Sequence, residues 1–188
     1  MKRLFVAIKV NPDEQFLKHY EGFKQQLSSS RITWVQPQVM HLTLKFLGNT
    51  ADEMIPVICD NLEKVAESNF EFDFTLEHLG IFGSSYLPRV VWLGSSQPAQ
   101  MAALGNNVID HFHEAGFLRD RQNFVPHLSL GRIKEAGNKK YFQEVMNKYR
   151  HSLKQYMGVQ KIILYQSILR SSGPIYQQIS AFKLKTEV

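Results

Sequence analysis

The chain has 188 residues, 44% of them hydrophobic, and its 22 Lys and Arg against 17 Asp and Glu give a formal net charge of +5 at pH 7. This composition excludes wholesale disorder, and the length suits one domain or two small lobes that share a core. The single cysteine, Cys59, excludes an intramolecular disulfide framework and a cysteine-based zinc site, which fits a reducing compartment.

The first predicted element is a strand over residues 3–10. Its apolar run ends at Lys9 and is too short for the core of a secretory signal. No later stretch approaches the roughly 18 apolar residues of a membrane-spanning helix. We therefore expect a cytoplasmic protein with no membrane partner.

Helices and further strands follow in alternation. Asn11 with Glu14, and Thr50 with Glu53, have capping-box spacing and predict helices that run to about residues 27 and 66. Hydrophobic periodicity predicts further helices over 98–114 and 139–150, and strands over 32–35, 41–47, 70–76, 89–93, 124–133, 159–169 and 175–184. Short turns at 82–85 and 171–174 favour an α+β fold with antiparallel sheets over a doubly wound parallel fold.

Two of the predicted strands carry near copies of one motif. His41-Leu-Thr-Leu and His127-Leu-Ser-Leu lie 86 residues apart. With seven histidines in the chain, composition alone predicts far less than one occurrence of this pattern. The pair therefore indicates an internal repeat with a shared chemical role.

The spacing within each motif suits phosphoryl chemistry. Side chains two apart on a strand share a face, so His41 lies beside Thr43 and His127 beside Ser129, while the leucines point into the core. If a pseudo-two-fold axis relates the halves, the two pairs face each other across a cleft. One histidine can then activate water while the other protonates the leaving oxygen, and the hydroxyls can donate to non-bridging phosphate oxygens. This chemistry needs no metal or cofactor.

The motifs resemble those of a known superfamily. Residues 41–48 (HLTLKFLG) and 126–132 (PHLSLGR) are similar to the two signature motifs of the two-histidine phosphoesterases, and most similar to the bacterial RNA 2′,3′-cyclic phosphodiesterases, also called the 2′-5′ RNA ligase family. Further similarity lies in residues 3–7, 90–94 and 164–167 and in Tyr176. The resemblance covers essentially the whole chain.

This resemblance implies a bilobal α+β fold: one domain, residues 1–188, in which two similar lobes surround a central cleft with two antiparallel sheets flanked by helices. It implies cofactor-free hydrolysis of RNA 2′,3′-cyclic phosphate ends to 2′-phosphates. His41 would protonate the leaving oxygen, His127 would accept a proton from water, and Thr43 and Ser129 would hold the phosphate. Arg132 matches a recurring family arginine that would bind phosphate, although strict alternation turns it away from His127.

Several alternatives stay open at this point. The same groups could catalyse 2′-5′ RNA ligation, or could only grip phosphate in a non-catalytic RNA- or nucleotide-binding module. The expected partners are RNA ends or cyclic nucleotides, and we expect a monomer. Lys45, by alternation, shares the face of His41 and either charges the cleft or is solvated at its rim. Four aromatic residues either stack on a base or belong to the core, namely Phe46, Phe124, Tyr165 and Tyr176.

One further feature is a basic segment. Between Lys134 and Lys161 there are seven basic residues against two acidic ones. This segment either attracts phosphate-bearing partners or is a solvated helix face. The remaining five histidines show no motif and are assigned no chemical role.

Overall fold

The structure is a computed structural model that describes residues 1–119, 123–170 and 173–186. The helices are α1 (Glu14–Gln26), α2 (Ile55–Ser68), α3 (Ala99–Glu114) and α4 (Lys139–Tyr149). The strands are β1 (Lys2–Lys9), β2 (Arg31–Trp34), β3 (His41–Thr50), β4 (Phe72–Leu76), β5 (His78–Gly83), β6 (Pro88–Gly94), β7 (Leu128–Glu135), β8 (Gln155–Val159), β9 (Lys161–Arg170) and β10 (Gly173–Lys183). Residues 171 and 172 of the predicted final turn lie outside the described residues. No helix within the described ranges combines the length and apolarity needed to cross a bilayer.

Eight strands form one antiparallel sheet. Its order is β10-β9-β1-β3-β7-β6-β5, with β2 also paired to β7, while β4 and β8 form a separate two-stranded sheet. This confirms the predicted α+β class with antiparallel sheets. Strands β3 and β7 are joined by one residue pair, Leu42 opposite Leu128. That pair divides the large sheet into a first half (β10, β9, β1, β3) and a second half (β2, β7, β6, β5).

All four helices pack against one face of the large sheet. Their apolar side chains share a core with the motif leucines, and Leu42 and Leu128 are completely buried there. A smaller buried group lies on the opposite face and consists of Phe5, Ala7, Ile163 and Tyr165, with Tyr176 against it. Among the described residues, no helix contributes to this second group. We call this second face of the sheet the open face.

Two predicted helix starts are wrong. Helix α1 is capped by Asp13, whose side chain accepts a hydrogen bond from the Phe16 N–H at 2.7 Å, and not by Asn11. Thr50 cannot cap α2 because it is the last residue of β3 and pairs with Lys2 in β1. A short 3₁₀ turn at Asp52–Met54 then leads into the helix. In both places the helix begins later in the chain than the predicted cap implies.

The strand predictions were correct in position but incomplete. Strands β5 and β8 were not predicted, and the predicted strand over 124–133 begins only at Leu128. Gly80 and Gly158 interrupt the hydrophobic alternation in the two missed strands, so the pattern did not reveal them. Strand β3 continues past the predicted stop at Gly48, whose positive φ of 72° lets the chain bend while pairing with Leu4 is kept.

Candidate active site

The two motifs meet at the pair that joins the halves of the sheet. Leu42 and Leu128 follow the two histidines directly and lie opposite each other, so equivalent positions of the two copies face one another. In an antiparallel arrangement the residues that flank this pair are neighbours across the junction: His41 and Ser129 on one side, and Thr43 and His127, which directly precedes β7, on the other. Because the leucines are buried on the helix side, all four polar side chains lie on the open face. The structure thus brings the predicted quartet of two histidines and two hydroxyls together.

Both histidine rings are held in the same way. His41 Nδ1 lies 2.7 Å from the Val39 carbonyl oxygen, and His127 Nδ1 lies 2.8 Å from that of Val125. A carbonyl can only accept, so each Nδ1 carries the hydrogen and donates it. In the neutral state each Nε2 is therefore free of a proton. The two copies of the motif thus share a further feature, a hydrogen bond from Nδ1 to the carbonyl two residues before the histidine. This hydrogen bond leaves Nε2 as the ring atom that can exchange a proton.

The walls beside the histidines are aromatic but different. His41 packs against Phe5 and Tyr176, with ring centroids 5.1 and 5.0 Å away. His127 has the edge-on ring of Phe82 at 4.7 Å and Trp92 at 6.3 Å. These contacts limit the rotation of each imidazole about its side-chain bonds. The packing of Phe82 and Trp92 on His127 was not predicted from the sequence, because their own strands carry no repeated pattern.

The position of the Trp92 ring depends on Gly80 in the neighbouring strand β5. A Cβ atom on Gly80 would lie 2.4 Å from the indole ring, so only glycine leaves room for it there. The indole N–H is buried and has no hydrogen-bond partner among the described residues. Close packing on Gly80, and not hydrogen bonding, therefore fixes this ring next to His127.

Burial lowers the pKa of both catalytic candidates. Desolvation disfavours the imidazolium form of His41 and of His127, and the hydrogen bond to each backbone carbonyl only partly offsets this lowering of the pKa. The charge of His127 lowers the pKa of His41 further, which is a consequence of their proximity. Neutral imidazoles are therefore favoured in the free protein at neutral pH, and a bound anion would favour protonation.

A β-bulge in β3 changes the expected position of Lys45. Thr43 pairs with Ala7 and Lys45 with Val6, so Leu44 is an extra residue and alternation shifts by one after it. Lys45 consequently lies on the helix side, only 2% exposed, and its Nζ donates to the Leu118 carbonyl at 3.0 Å. The expectation that it shares the open face with His41 is wrong, because a bulge breaks strict alternation.

The second motif contains an equivalent bulge, and it moves Arg132 toward the site. Ser129 pairs with Trp92 and Gly131 with Val91, so Leu130 is the extra residue. Arg132 therefore returns to the face of Ser129, and the expectation that it turns away from His127 is wrong for the same physical reason.

The electrostatic effect of Arg132 on Tyr176, in the other half of the sheet, also places Arg132 near the site. Burial raises the pKa of Tyr176, and the charges of Arg132 and Arg3 oppose that rise. Since Tyr176 packs on His41, the guanidinium of Arg132 acts electrostatically across the site. Among the described residues, no carboxylate lies within ion-pair distance of Arg132.

A cavity of about 270 Å³ lies next to the quartet. Thr43 and His127 line it together with the aromatic residues Phe46, Phe82 and Phe124. Phe46, which follows the first bulge as Arg132 follows the second, is 60% exposed. Tyr165 instead belongs to the small buried group on the open face. Of the four aromatic candidates, only Phe46 is therefore exposed and placed to stack on a base. Phe124 packs on Gly105 of α3 and against the main core, and Tyr165 and Tyr176 belong to the packing on the open face.

The basic segment lies largely away from the histidines. Helix α4 buries Phe142 and Val145 in the core on the helix side of the sheet. The lysines of α4 therefore project from the side opposite to the open face, and Lys154 forms an ion pair with Glu77 at 3.0 Å. This arrangement favours the interpretation of the helical part as a solvated face.

Comparison with known proteins gives consistent results. Residues 6–92 match a family model described as LigT like Phosphoesterase. A protein of Archaeoglobus fulgidus named RNA 2′,3′-cyclic phosphodiesterase is 33% identical, over 96% of this chain and 99% of its own length. One of the same name from Aquifex aeolicus is 35% identical over 80% of this chain and 81% of its own.

Solved structures show the same fold at lower identity. The crystal structure of the Thermus thermophilus protein TT0787 superposes with a TM-score of 0.77 at 23% identity, covering 99% of this chain and 100% of that one. Escherichia coli LigT complexed with 3′-AMP gives a TM-score of 0.70 at 21% identity, covering 97% and 98%. The antiparallel α+β architecture is thus shared with these proteins.

Proposed function

Because this chain belongs to the LigT-like phosphoesterase family, we propose that it hydrolyses RNA 2′,3′-cyclic phosphate ends to 2′-phosphomonoester ends. The observation that carries this proposal is the quartet on the open face. Two histidines present Nε2 toward a site that two hydroxyls share across the Leu42–Leu128 pair. This set supplies a general acid, a general base and donors to a phosphate.

In the proposed reaction, a water oxygen attacks phosphorus while His127 Nε2 accepts the proton of that water. The bond from phosphorus to O3′ breaks, and His41 Nε2 gives its proton to O3′. The 2′-phosphate and a free 3′-hydroxyl result, and the two histidines end in exchanged protonation states. The reaction requires no metal or cofactor, since each proton transfer is assigned to a side chain.

The hydroxyls and the arginine stabilise charge in this scheme. Thr43 and Ser129 donate to the non-bridging oxygens, where negative charge is concentrated in the transition state. Arg132 adds a positive charge on the same face. The assignment of acid to His41 and base to His127 follows the family resemblance, because the two rings have equivalent hydrogen bonds.

The proposal extends to the organisation of the chain. The two halves of the large sheet would be the two similar lobes of one domain, with the quartet at their junction. We further propose a cytoplasmic monomer that acts on RNA ends or cyclic nucleotides. Light scattering on the purified protein would test the monomer directly.

Product analysis tests the proposed function. The wild-type protein is incubated with an oligoribonucleotide ending in a 2′,3′-cyclic phosphate, in the presence of EDTA, and the product ends are identified. A 2′-phosphate end is the expected result. A 3′-phosphate end, dependence on added metal, or binding without turnover would contradict it, and a 2′-5′ linked product formed with a 5′-hydroxyl oligonucleotide would favour ligation.

The pH dependence of kcat/KM should be bell-shaped with its maximum below about pH 6.5. His127 must be neutral and His41 protonated, so activity falls below the pKa of the first and above the pKa of the second. Burial holds both pKa values below the ordinary value of 6.5, which moves both limbs to the acid side. Initial rates in buffers of constant ionic strength check this. A flat profile between about pH 5 and 8 would contradict the two-histidine mechanism.

A further inference from the structure

A second, smaller cavity lies on the other side of His41 from the aromatic cavity. It measures about 90 Å³. Its polar lining consists of Lys9, Gln38, His41, Tyr165 and Tyr176. This space accommodates a compact polar group. The quartet mechanism does not use it.

Lys9 is directed toward this cavity by the sheet register. It pairs with His41 across β1 and β3, so both side chains lie on the open face. Lys9 is exposed, and within residues 1–119, 123–170 and 173–186 no carboxylate lies within ion-pair distance of it. None of the described lining residues is acidic. An ammonium group, an amide and two phenols, all able to donate hydrogen bonds, therefore surround the space.

A donor-rich lining of this size suits a phosphate group. Its position next to His41 determines which phosphate it would be. His41 protonates O3′ in the proposed reaction, so the C3′ carbon of the terminal ribose must lie on its side of the site. C3′ is bonded to C4′, which carries C5′ and the phosphate attached there. The apolar cavity beside His127 remains available for the base.

We propose that this cavity, the Lys9 pocket, binds the phosphate on the 5′ carbon of the nucleoside that carries the cyclic phosphate. The inference rests on the proposed function and specifies its substrate. In RNA the bound group is the phosphodiester that precedes the terminal nucleotide, and in a mononucleotide it is a 5′-phosphate. The pocket thereby selects nucleotides over unphosphorylated nucleoside cyclic phosphates.

The test compares kcat/KM for three substrates: adenosine 2′,3′-cyclic phosphate, its 5′-phosphorylated form, and the dinucleotide ApA ending in a 2′,3′-cyclic phosphate. The wild-type protein should prefer the second and third substrates. Lys9→Gln should lower kcat/KM for these two by about tenfold, the range of one charge-assisted hydrogen bond, and leave the first unchanged. Lys64→Gln, the same charge change at an exposed position on α2, is the matched control and should alter none.

Three results would overturn the pocket: a wild-type protein without preference for a 5′-phosphate, an equal loss on all three substrates in Lys9→Gln, or the same loss in the control variant. A loss confined to the mononucleotide or to the dinucleotide would show which source of the phosphate the pocket accepts. If the wild-type protein hydrolyses none of them, the proposed function fails. Calorimetry then tests the pocket separately, by comparing the affinity of the first two nucleotides for the wild-type and Lys9→Gln proteins. A pocket for the 5′-phosphate predicts tighter binding of the phosphorylated nucleotide to the wild-type protein and loss of that difference in Lys9→Gln.

Discussion

His41→Asn and His127→Asn should each lower kcat/KM for a 2′,3′-cyclic phosphate by about 10²–10⁴-fold, the usual contribution of a positioned general acid or base. Asparagine is suited to this test because its amide can still donate to the carbonyl of Val39 or Val125, as Nδ1 does in the native ring. It has no atom in the place of Nε2. The variants therefore remove proton transfer while keeping the local hydrogen bond.

Initial rates of cyclic phosphate hydrolysis, together with thermal unfolding, measure both consequences. The melting temperature should change little, since both rings lie on the open face and outside the main core. His151→Asn is the matched control, because His151 is exposed and lies outside both motifs. If either motif variant keeps most of the wild-type activity, the two-histidine mechanism is wrong.

Thr43→Val and Ser129→Ala should each lower kcat by about 10²–10³-fold, as the loss of one donor to a transition-state oxyanion does. Valine keeps the shape of threonine and its place opposite Ala7, so only the hydroxyl is lost. Thr43→Ser should keep most of the activity, because the second motif already uses serine in the equivalent position. Comparing Thr43→Val with Thr43→Ser separates the contribution of the hydroxyl from the contribution of side-chain packing.

The measurement is kcat and KM for each variant, from initial rates that extend to saturating substrate. A hydroxyl that stabilises the transition state affects kcat, whereas one that binds the ground state and the transition state equally affects KM. Thr75→Val in β4, part of the separate two-stranded sheet, serves as the control. Wild-type kcat in Thr43→Val would show that the hydroxyls do not contact the reacting phosphate.

The quartet could be predicted because it depends on the shortest-range rule of a strand. A spacing of two within β3 gives His41 and Thr43 a shared face, and His127, which directly precedes β7, has the same spacing from Ser129. The same holds for the leucines, whose burial defines the opposite face. Duplication of the motif made the functional interpretation specific.

Positions beyond the motif core could not be predicted, because two bulges intervene. Each bulge lies at the leucine after the hydroxyl, and it is visible only in the pairing with the neighbouring strand. One residue of slippage exchanges the faces of everything that follows. This single effect buried Lys45 and brought Arg132 and Phe46 toward the site.

The roles of the two rings beside His127 could not be predicted, for a different reason. Trp92 and Phe82 act on His127 from strands that are distant in sequence, and the glycine that admits the indole lies in β5, which the pattern did not reveal. Contacts between strands depend on register, and no local pattern encodes register here. The missed helix caps are a smaller instance, since Asp13 and Asn11 are equally suitable capping residues.

The residues that flank the two motifs differ, and this difference bears on the regioselectivity of the proposed reaction. Around Leu42–Leu128 the reactive groups are nearly interchangeable, so a cyclic phosphate turned by 180° would meet the same histidines and hydroxyls with O2′ in the place of O3′. The flanking residues are not interchangeable: Ala7 lies opposite Thr43, whereas Trp92 lies opposite Ser129. In the proposed reaction, a small side chain on one flank and an indole on the other would admit the ribose in one orientation. The choice between a 2′- and a 3′-phosphate product would then belong to residues that transfer no proton.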